Sequence, residues 1–166
     1  MSDFDTLYEQ FAPDVFRFAL YLTGDRTRAD DITAETFLRA WTTGSALRMA
    51  TVKGYLITIA RNIRLQQLRE ERRRSELTDD IEDSSPDPAR QSEDRSELEH
   101  ALRDLQQLHE TDRAAILMRA LEGMSYEEIA VATGMSLSAV KVKIHRARLR
   151  LNEMRNARRS FHGHNA

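Results

Sequence analysis

The sequence SYEEIAVATGMSLSAVKVKIHRARLRL occupies residues 125–151 and contains the signals of two helices joined by a tight turn. Ser125 and Glu128 have the spacing of a capping box, which begins a helix, and Gly134 permits the left-handed backbone that ends one. Ser136 is placed to cap the helix that follows. Two helices joined in this way predict a helix-turn-helix, a motif that places its second helix in the major groove of DNA.

The apolar residues of the second helix fix its rotation. At about 100° per residue, one face collects the residues that we expect to be buried: Val140, Ile144, Ala147 and Leu151. Ser138 and Val142 then project away from the core, where they would meet base edges. The cations fall on the two flanks, where phosphates run: Lys141, His145 and Arg148 on one, and Lys143, Arg146 and Arg150 on the other.

The composition of the 166 residues favours long helices, and the length allows one domain or two small ones. The helical patterns described below predict an all-α fold of two small helical domains. Only 40% of the residues are hydrophobic and 31% are charged, and there are 6 glycines and 3 prolines to form turns. The absence of cysteine excludes disulfides, a thiolate zinc site and a cysteine nucleophile, and it favours a cytoplasmic location. The acidic start lacks the features of a signal peptide, and no apolar run is long enough for a membrane span.

The net charge of −2 hides a strongly uneven distribution. Residues 61–74 carry six arginines against two glutamates, and residues 141–159 carry eight lysines or arginines against one glutamate. Between them, residues 76–100 carry ten acidic residues against two arginines. This pattern predicts two anion-binding surfaces separated by a self-repelling spacer.

Three helices are predicted in residues 1–75, which we expect to form the first domain. An apolar face runs through residues 3–23, with a break at Pro13, and Thr27 with Asp30 resembles a capping box that opens the second helix. The apolar stripe of the second helix is Ala34, Phe37, Leu38 and Trp41. A loop over 42–51 precedes a third helix that continues into the arginine cluster at 69–74.

The remainder of the chain predicts a linker, a second helical domain and a tail. Residues 76–96 are rich in acidic residues, serine and proline and poor in apolar ones, so we expect a flexible linker. The second domain, 97–156, would contain a fourth helix, a fifth helix capped by Thr111 and ended by Gly123, and the helix-turn-helix. Residues 157–166 would form the tail.

These motifs, taken in order, resemble the extracytoplasmic-function (ECF) sigma factors of the sigma-70 family. DDITAETFLRAW at 30–41 is similar to region 2.2, and GYLITIARNIRLQQLREERRR at 54–74 is similar to regions 2.3 and 2.4. LEGMSYEEIA at 121–130 and SAVKVKIHRARLRL at 138–151 are similar to region 4.2. The resemblance covers nearly the whole chain, and the acidic linker lies where the family has one.

The resemblance implies a function and a set of site residues. A member of the family binds core RNA polymerase, through the β′ clamp coiled coil and the β flap, and directs it to promoter DNA under the control of an anti-sigma factor. The residues that match the polymerase-binding region are Asp31, Glu35 and Arg39, whereas Phe37, Leu38 and Trp41 would hold the domain together. Those that match the −10-binding region are Arg61, Asn62, Arg64, Arg69, Arg72 and Arg73, with the loop 42–53 capturing a flipped base. Those that fall on the −35-binding region are Ser136, Ser138, Ala139, Lys141, Val142, Lys143, His145, Arg146 and Arg148. Two of them depart from the family's pattern, since Ala139 replaces its usual threonine and Val142 a common serine.

Two other functions share some of these features. A free-standing helix-turn-helix repressor would bind an operator as a dimer, and a sigma-like decoy would titrate an anti-sigma factor without driving transcription. An enzyme is disfavoured because the chain has no Gly-rich phosphate loop and no histidine spacing suited to a helical metal site. We therefore expect no cofactor and no metal, and catalysis would belong to the polymerase.

Overall fold

The computed structural model describes residues 3–43, 51–77 and 96–163, and within these ranges all regular structure is helical. The elements in order are α1 (Asp3–Thr23), α2 (Arg26–Thr43), α3 (Val52–Leu77), α4 (Glu97–Gln106), α5 (Glu110–Ala120), α6 (Tyr126–Thr133) and α7 (Leu137–Gly163). The all-α prediction is confirmed. Helices α1–α3 pack on one another and are called here the first bundle, and α4–α7 form the second bundle.

The first bundle is centred on the C-terminal half of α1, where Val15, Phe18 and Leu22 are fully buried. The expected break at Pro13 is wrong, because α1 runs through it as one helix of 21 residues. Pro13 removes one amide donor, but it lies on the exposed side of the helix, where water reaches the unpaired carbonyl. The packing of the buried face therefore outweighs the missing hydrogen bond.

Helix α2 departs from the prediction at its start and in its buried face. Asp25 caps the helix instead of Thr27, since its carboxylate accepts hydrogen bonds from the amides of Thr27 at 2.8 Å and Arg28 at 3.2 Å. Of the predicted apolar stripe, only Phe37 belongs to the core. Ala34, Leu38 and Trp41 are exposed, and the buried face is Ala29, Ile32, Thr33, Thr36 and Phe37. The two threonines are tolerated there because each hydroxyl donates to the carbonyl four residues earlier.

The second bundle is organised around α5, in which every residue from Asp112 to Met118 is buried. The predicted cap at Thr111 is wrong, because the helix begins at Glu110 and His109 occupies the N-cap position without a side-chain hydrogen bond to the backbone. Gly123 follows the end of α5 with φ +67°, and its amide donates to the carbonyl of Arg119 at 3.2 Å. A residue with a side chain would be strained at this φ, so glycine permits the sharp turn into α6.

The helix-turn-helix formed by α6 and α7 agrees with the sequence signals residue by residue. Ser125 and Glu128 form the capping box, and Gly134 ends α6 in the left-handed conformation with φ 71°. Ser136 caps α7 by accepting from the amide of Ala139 at 3.1 Å. Val140, Ile144 and Ala147 are fully buried, and Leu151 packs against the same core.

The ends of the predicted domains are only partly described. The predicted linker falls almost entirely on residues 78–95, and most of the predicted loop 42–51 falls on residues 44–50, both outside the described residues. The expected tail from 157 is helical as far as Gly163, because α7 has 27 residues. The guanidinium of Arg158 secures this extension by contacting the carboxylate of Asp104 on α4 at 2.9 Å.

The buried face of α7 should control the stability of the second bundle. Ile144→Ala removes a side chain that is 1% exposed, so we expect the free energy of unfolding to fall by about 2–5 kcal/mol. Val142→Ala is the matched control, because Val142 is 60% exposed and its truncation should change that free energy by no more than about 0.5 kcal/mol. Urea unfolding followed by circular dichroism measures both. Equal losses would contradict the rotation of α7.

Candidate nucleic-acid and protein interfaces

The outer face of α7 presents a small polar and an apolar side chain beside exposed cations. Ser138 and Val142 are exposed, and they point away from the buried Val140 and Ile144 as the helical spacing predicts. His145 and Arg148 are exposed on one flank. A small polar residue and a valine therefore form the tip of the surface, with basic side chains beside them.

The aromatic ring of Tyr126 on α6 lies between two cations. The guanidinium carbon of Arg119 is 4.5 Å from the ring centroid, and the ammonium of Lys141 is 5.9 Å from it. A cation over an aromatic face is held electrostatically. Lys141 therefore extends from α7 across the helix-turn-helix, with its position restrained by α6.

Asp112 on α5 fixes the other flank of α7, and the sequence analysis did not identify it. Its two carboxylate oxygens accept bidentate hydrogen bonds from Arg146, each of 2.8 Å, and the ammonium of Lys143 is 3.7 Å away. Lys143 also donates to the hydroxyl of Thr111 at 3.3 Å. Two of the predicted phosphate contacts are thus already neutralised in part by a carboxylate of the same bundle.

The ion pair shifts the pKa of both partners in the direction that favours their charged forms. The hydrogen bond from Arg146 lowers the pKa of Asp112 below its ordinary value, against the opposing effect of burial. The same contact raises the pKa of Arg146. Asp112 is the third residue of α5, where the positive end of the helix dipole also favours a carboxylate.

The predicted −10-binding residues on α3 are divided between the surface and the interior. Asn62, Arg69, Arg72 and Arg73 are exposed. Arg61 and Arg64 are 5% and 9% exposed, so the expectation that these two face the promoter is not met in this arrangement. Arg61 lies 3.4 Å from the carboxylate of Glu110 on α5. Burial lowers the pKa of Arg64, and the neighbouring Glu71 partly opposes that shift.

The predicted polymerase-binding residues lie on one side of α2 beside exposed apolar groups. Asp31 is exposed, while Glu35 and Arg39 are joined by an ion pair of 3.0 Å. Leu38 and Trp41 are 57% and 58% exposed, contrary to the expectation that they hold the domain together. Helical periodicity did not predict the exposure of Leu38 and Trp41, because Ile32, Thr33 and Thr36 occupy the buried face of α2 instead.

Contacts fix the geometry of this α2 surface. The guanidinium of Arg39 also donates to the side-chain carbonyl of Gln66 on α3 at 2.8 Å. The ring of Trp41 packs edge-on against Phe4 of α1 with 5.1 Å between centroids. The surface therefore combines a carboxylate, a held ion pair and two large apolar side chains.

Within residues 3–43, 51–77 and 96–163, no cluster of three histidine, aspartate or glutamate side chains is arranged to hold a metal ion. In that same part of the chain, no helix is both long enough and apolar enough to cross a membrane.

Two family models match the chain in the order of its bundles. The Sigma-70 region 2 family matches residues 7–74, which lie in the first bundle. The Sigma-70 region 4 family matches residues 101–151, which include most of the second bundle and the whole helix-turn-helix. Together they cover well over half of the sequence.

Whole proteins with the same organisation are also similar to the chain. The ECF RNA polymerase sigma factor SigL of Mycobacterium tuberculosis is 35% identical over 161 residues, covering 89% of this chain and 88% of SigL. SigE of Mycolicibacterium smegmatis is 33% identical, covering 92% of this chain but 62% of SigE. The sigma factor RpoE of Bartonella quintana, solved in complex with the anti-sigma factor NepR, superposes with a TM-score of 0.79 at 28% identity, covering 94% of this chain and 98% of RpoE.

Asp112→Asn should lower stability in a pH-dependent manner. A carboxylate whose pKa is depressed by folding stabilises the folded state above its ordinary pKa, and that contribution disappears as the pH falls through the lower folded value. We therefore expect the melting temperature of the variant to lie below that of the wild type at pH 7, and the difference to shrink only below about pH 3.8. Glu153→Gln, at an exposed position of α7, is the control. A difference that does not depend on pH would contradict the ion pair with Arg146.

Proposed function

The chain belongs to the sigma-70 family as an ECF sigma factor, and from this we propose that it binds core RNA polymerase in the cytoplasm and directs promoter-specific transcription initiation. The proposal rests on the order of the two bundles along the chain. A region 2 bundle with an exposed acidic and apolar face precedes a region 4 bundle whose helix-turn-helix exposes Ser138 and Val142 between basic flanks. A free-standing repressor needs only the bundle that contains the helix-turn-helix.

The α2 surface is the proposed contact with the polymerase. Asp31, Glu35 and Arg39 correspond to the family's polymerase-binding region, and Leu38 and Trp41 add apolar area. Exposed large apolar side chains beside charged ones are characteristic of protein interfaces, in which the apolar groups supply most of the affinity and the charged groups supply specificity. The family implies the β′ clamp coiled coil as the partner.

The two DNA elements are assigned to different bundles. On α3, Asn62, Arg69, Arg72 and Arg73 are available for the −10 element. Arg61 and Arg64 are buried, Arg61 beside Glu110 of the second bundle and Arg64 beside Gln67 and Glu71 of α3 itself. On α7 we assign base contacts to Ser138 and Val142 and phosphate contacts to the flanking cations. Ser136 and Ala139 at the start of α7 belong to the same surface, where an amide near a helix N-terminus favours a phosphate.

Control by an anti-sigma factor is the second part of the proposal. The similar RpoE of Bartonella quintana was solved in complex with the anti-sigma factor NepR, and its TM-score of 0.79 extends over 94% of this chain. A protein that bound both bundles at once would occlude the polymerase and DNA surfaces together.

Charge reversal on α2 should weaken polymerase binding without unfolding the protein. Asp31→Lys with Glu35→Lys places cations where the family has carboxylates, and we expect the affinity for core polymerase to fall at least about tenfold. Glu9→Lys with Glu127→Lys, at exposed positions of α1 and α6, makes the same charge change elsewhere. Fluorescence anisotropy with core polymerase measures the affinity, and circular dichroism checks helix content. An unchanged affinity would contradict the assignment of this face.

Promoter selection tests the function as a whole. Core polymerase with this protein should enrich paired −10 and −35 elements from a library of random upstream sequences, and no enrichment would contradict sigma-factor function.

Val142→Ser should change the preferred −35 sequence, since a valine can contact a thymine methyl. Each mismatched base pair should then change the binding free energy by about 1–3 kcal/mol. Arg148→Ala should weaken all sequences alike and reduce the salt slope by about one unit. If Val142→Ser left the preferred −35 sequence unchanged and Arg148→Ala changed it, α7 would be rotated from the arrangement described.

A further inference from the structure

Two acidic side chains of the second bundle are buried, and they face different parts of the molecule. Glu122, whose side chain is 0% exposed, lies 3.1 Å from the ammonium of Lys53 on α3 and 3.9 Å from the guanidinium of Arg17 on α1. It therefore belongs to the packing between the two bundles. Asp112, whose side chain is 7% exposed, instead faces α7 of its own bundle. This second carboxylate contacts the helix assigned to the −35 element.

Asp112 occupies the part of Arg146 that is best suited to a phosphate. Nε and Nη2 of Arg146 each donate at 2.8 Å to a different oxygen of Asp112. A guanidinium uses the same fork to bind a phosphate through two parallel hydrogen bonds. A phosphate that needs the fork must displace the carboxylate, and one that binds the remaining N–H groups stays close to a negative charge. Asp112 therefore opposes phosphate binding in both cases.

Lys143 is held at the same point. Its ammonium lies 3.7 Å from the carboxylate of Asp112 and 3.3 Å from the hydroxyl of Thr111, and its side chain is 24% exposed. Because Asp112 is buried, its attraction for both cations is screened less than that of a surface carboxylate. Two cations and one carboxylate give this group a net charge of +1. The flank therefore offers less charge to DNA than its basic residues suggest.

The opposite flank of α7 is built differently. The ammonium of Lys141 lies 5.9 Å from the centroid of the neutral Tyr126 ring, and Arg148 is exposed. An aromatic ring attracts a cation but leaves its unit charge in place. The two flanks of the helix therefore differ in the charge that a phosphate would meet, although both carry basic residues.

We propose that Asp112 limits the affinity of α7 for DNA of any sequence by competing with phosphates for Arg146 and Lys143. This inference rests on the proposed function, which makes α7 a DNA-binding helix. Asp112 faces a flank of α7 and not the tip formed by Ser138 and Val142, so base recognition does not depend on it. A genome offers about 10⁶–10⁹ non-specific sites, and a weaker hold on each of them leaves more of the chain free to bind polymerase.

The size of the effect follows from counterion release. Each phosphate that a protein neutralises adds about 0.9 to the slope of log affinity against log salt, which is a factor of about three to four between about 50 and 200 mM salt. Asp112→Asn removes the negative charge but keeps a carbonyl oxygen that can accept from Arg146. We expect the slope to steepen by about one unit and the binding of DNA at low salt to tighten about threefold to tenfold.

The test uses the full-length chain without polymerase and a fluorescein-labelled, random-sequence duplex, with anisotropy measured over a range of salt concentrations. Glu97→Gln is the matched control, because it removes one negative charge at an exposed position of α4. Helix α4 contacts α7 through Asp104 and Arg158, near the end of α7 that is remote from Ser138. The control should therefore keep the slope and affinity of the wild type. Circular dichroism checks that each variant is folded at the temperature of the measurement.

A second pair of variants leaves Asp112 unchanged and decides the matter if Asp112→Asn does not fold. Lys143→Gln and Arg148→Gln each remove one cation from α7, the first beside Asp112 and the second on the opposite flank. We expect Arg148→Gln to reduce the salt slope by about one unit and Lys143→Gln to reduce it by about half a unit or less.

Several results would overturn the proposal. An unchanged slope in Asp112→Asn would mean that the carboxylate competes with nothing, and weaker binding would mean that it positions Arg146 for DNA. An equal gain in Glu97→Gln would reflect net charge alone, and no binding by wild type or Asp112→Asn at the lowest salt would remove the competition altogether. If Asp112→Asn does not fold, equal losses of slope in Lys143→Gln and Arg148→Gln contradict it. Failure of sigma-factor function would instead appear as no promoter enrichment, in an assay that requires core polymerase.

Discussion

The buried guanidinium of Arg113 connects three segments, which are the end of α4, the turn that leads into α5 and the end of α1. It donates to the carbonyls of Leu105 and Leu108, both at 2.8 Å, and to that of Leu22 at 3.0 Å. Burial lowers the pKa of Arg113, but an arginine remains charged in a protein, so the side chain must keep its partners. Losing them would leave a buried charge and several unpaired carbonyls. The end of α4, the start of α5 and the end of α1 are therefore fixed relative to one another by one side chain.

The other polar residues of the first turn of α5 depend on that placement. Glu110 faces α3 and contacts Arg61, and Asp112 faces α7 and contacts Arg146. Arg113, the next residue, faces α1. One helical turn thus contacts both the helix assigned to the −10 element and the helix assigned to the −35 element. A displacement of α5 would therefore disturb Arg61 on one of these helices and Arg146 on the other.

The sequence predicted best those features that depend on neighbouring residues. The capping box at Ser125, the turn at Gly134 and the rotation of α7 are local, and the structure confirms them. The exposure of Leu38 was not predictable from helical spacing, because the choice between two possible buried faces of α2 is made by α1 and α3. The burial of Arg61 was missed for a similar reason, since its partner lies 49 residues away. Motifs identify which residues belong to a DNA-binding region, but packing between bundles decides whether they are accessible.

The buried carboxylate of Glu122 links the packing of the two bundles to proton uptake. Burial raises its pKa despite the nearby Lys53 and Arg17, and Asp14 adds to the increase. A group with a raised pKa in the packed state binds more protons there than in water, so the packed state is favoured as the pH falls toward the ordinary carboxyl pKa. At a pH where the carboxylate is charged, its desolvation instead offsets part of the stabilisation that the interbundle hydrogen bonds provide. Any partner that separated the two bundles would return Glu122 to water, and the hydration that the carboxylate regained would lower the free energy that this separation costs.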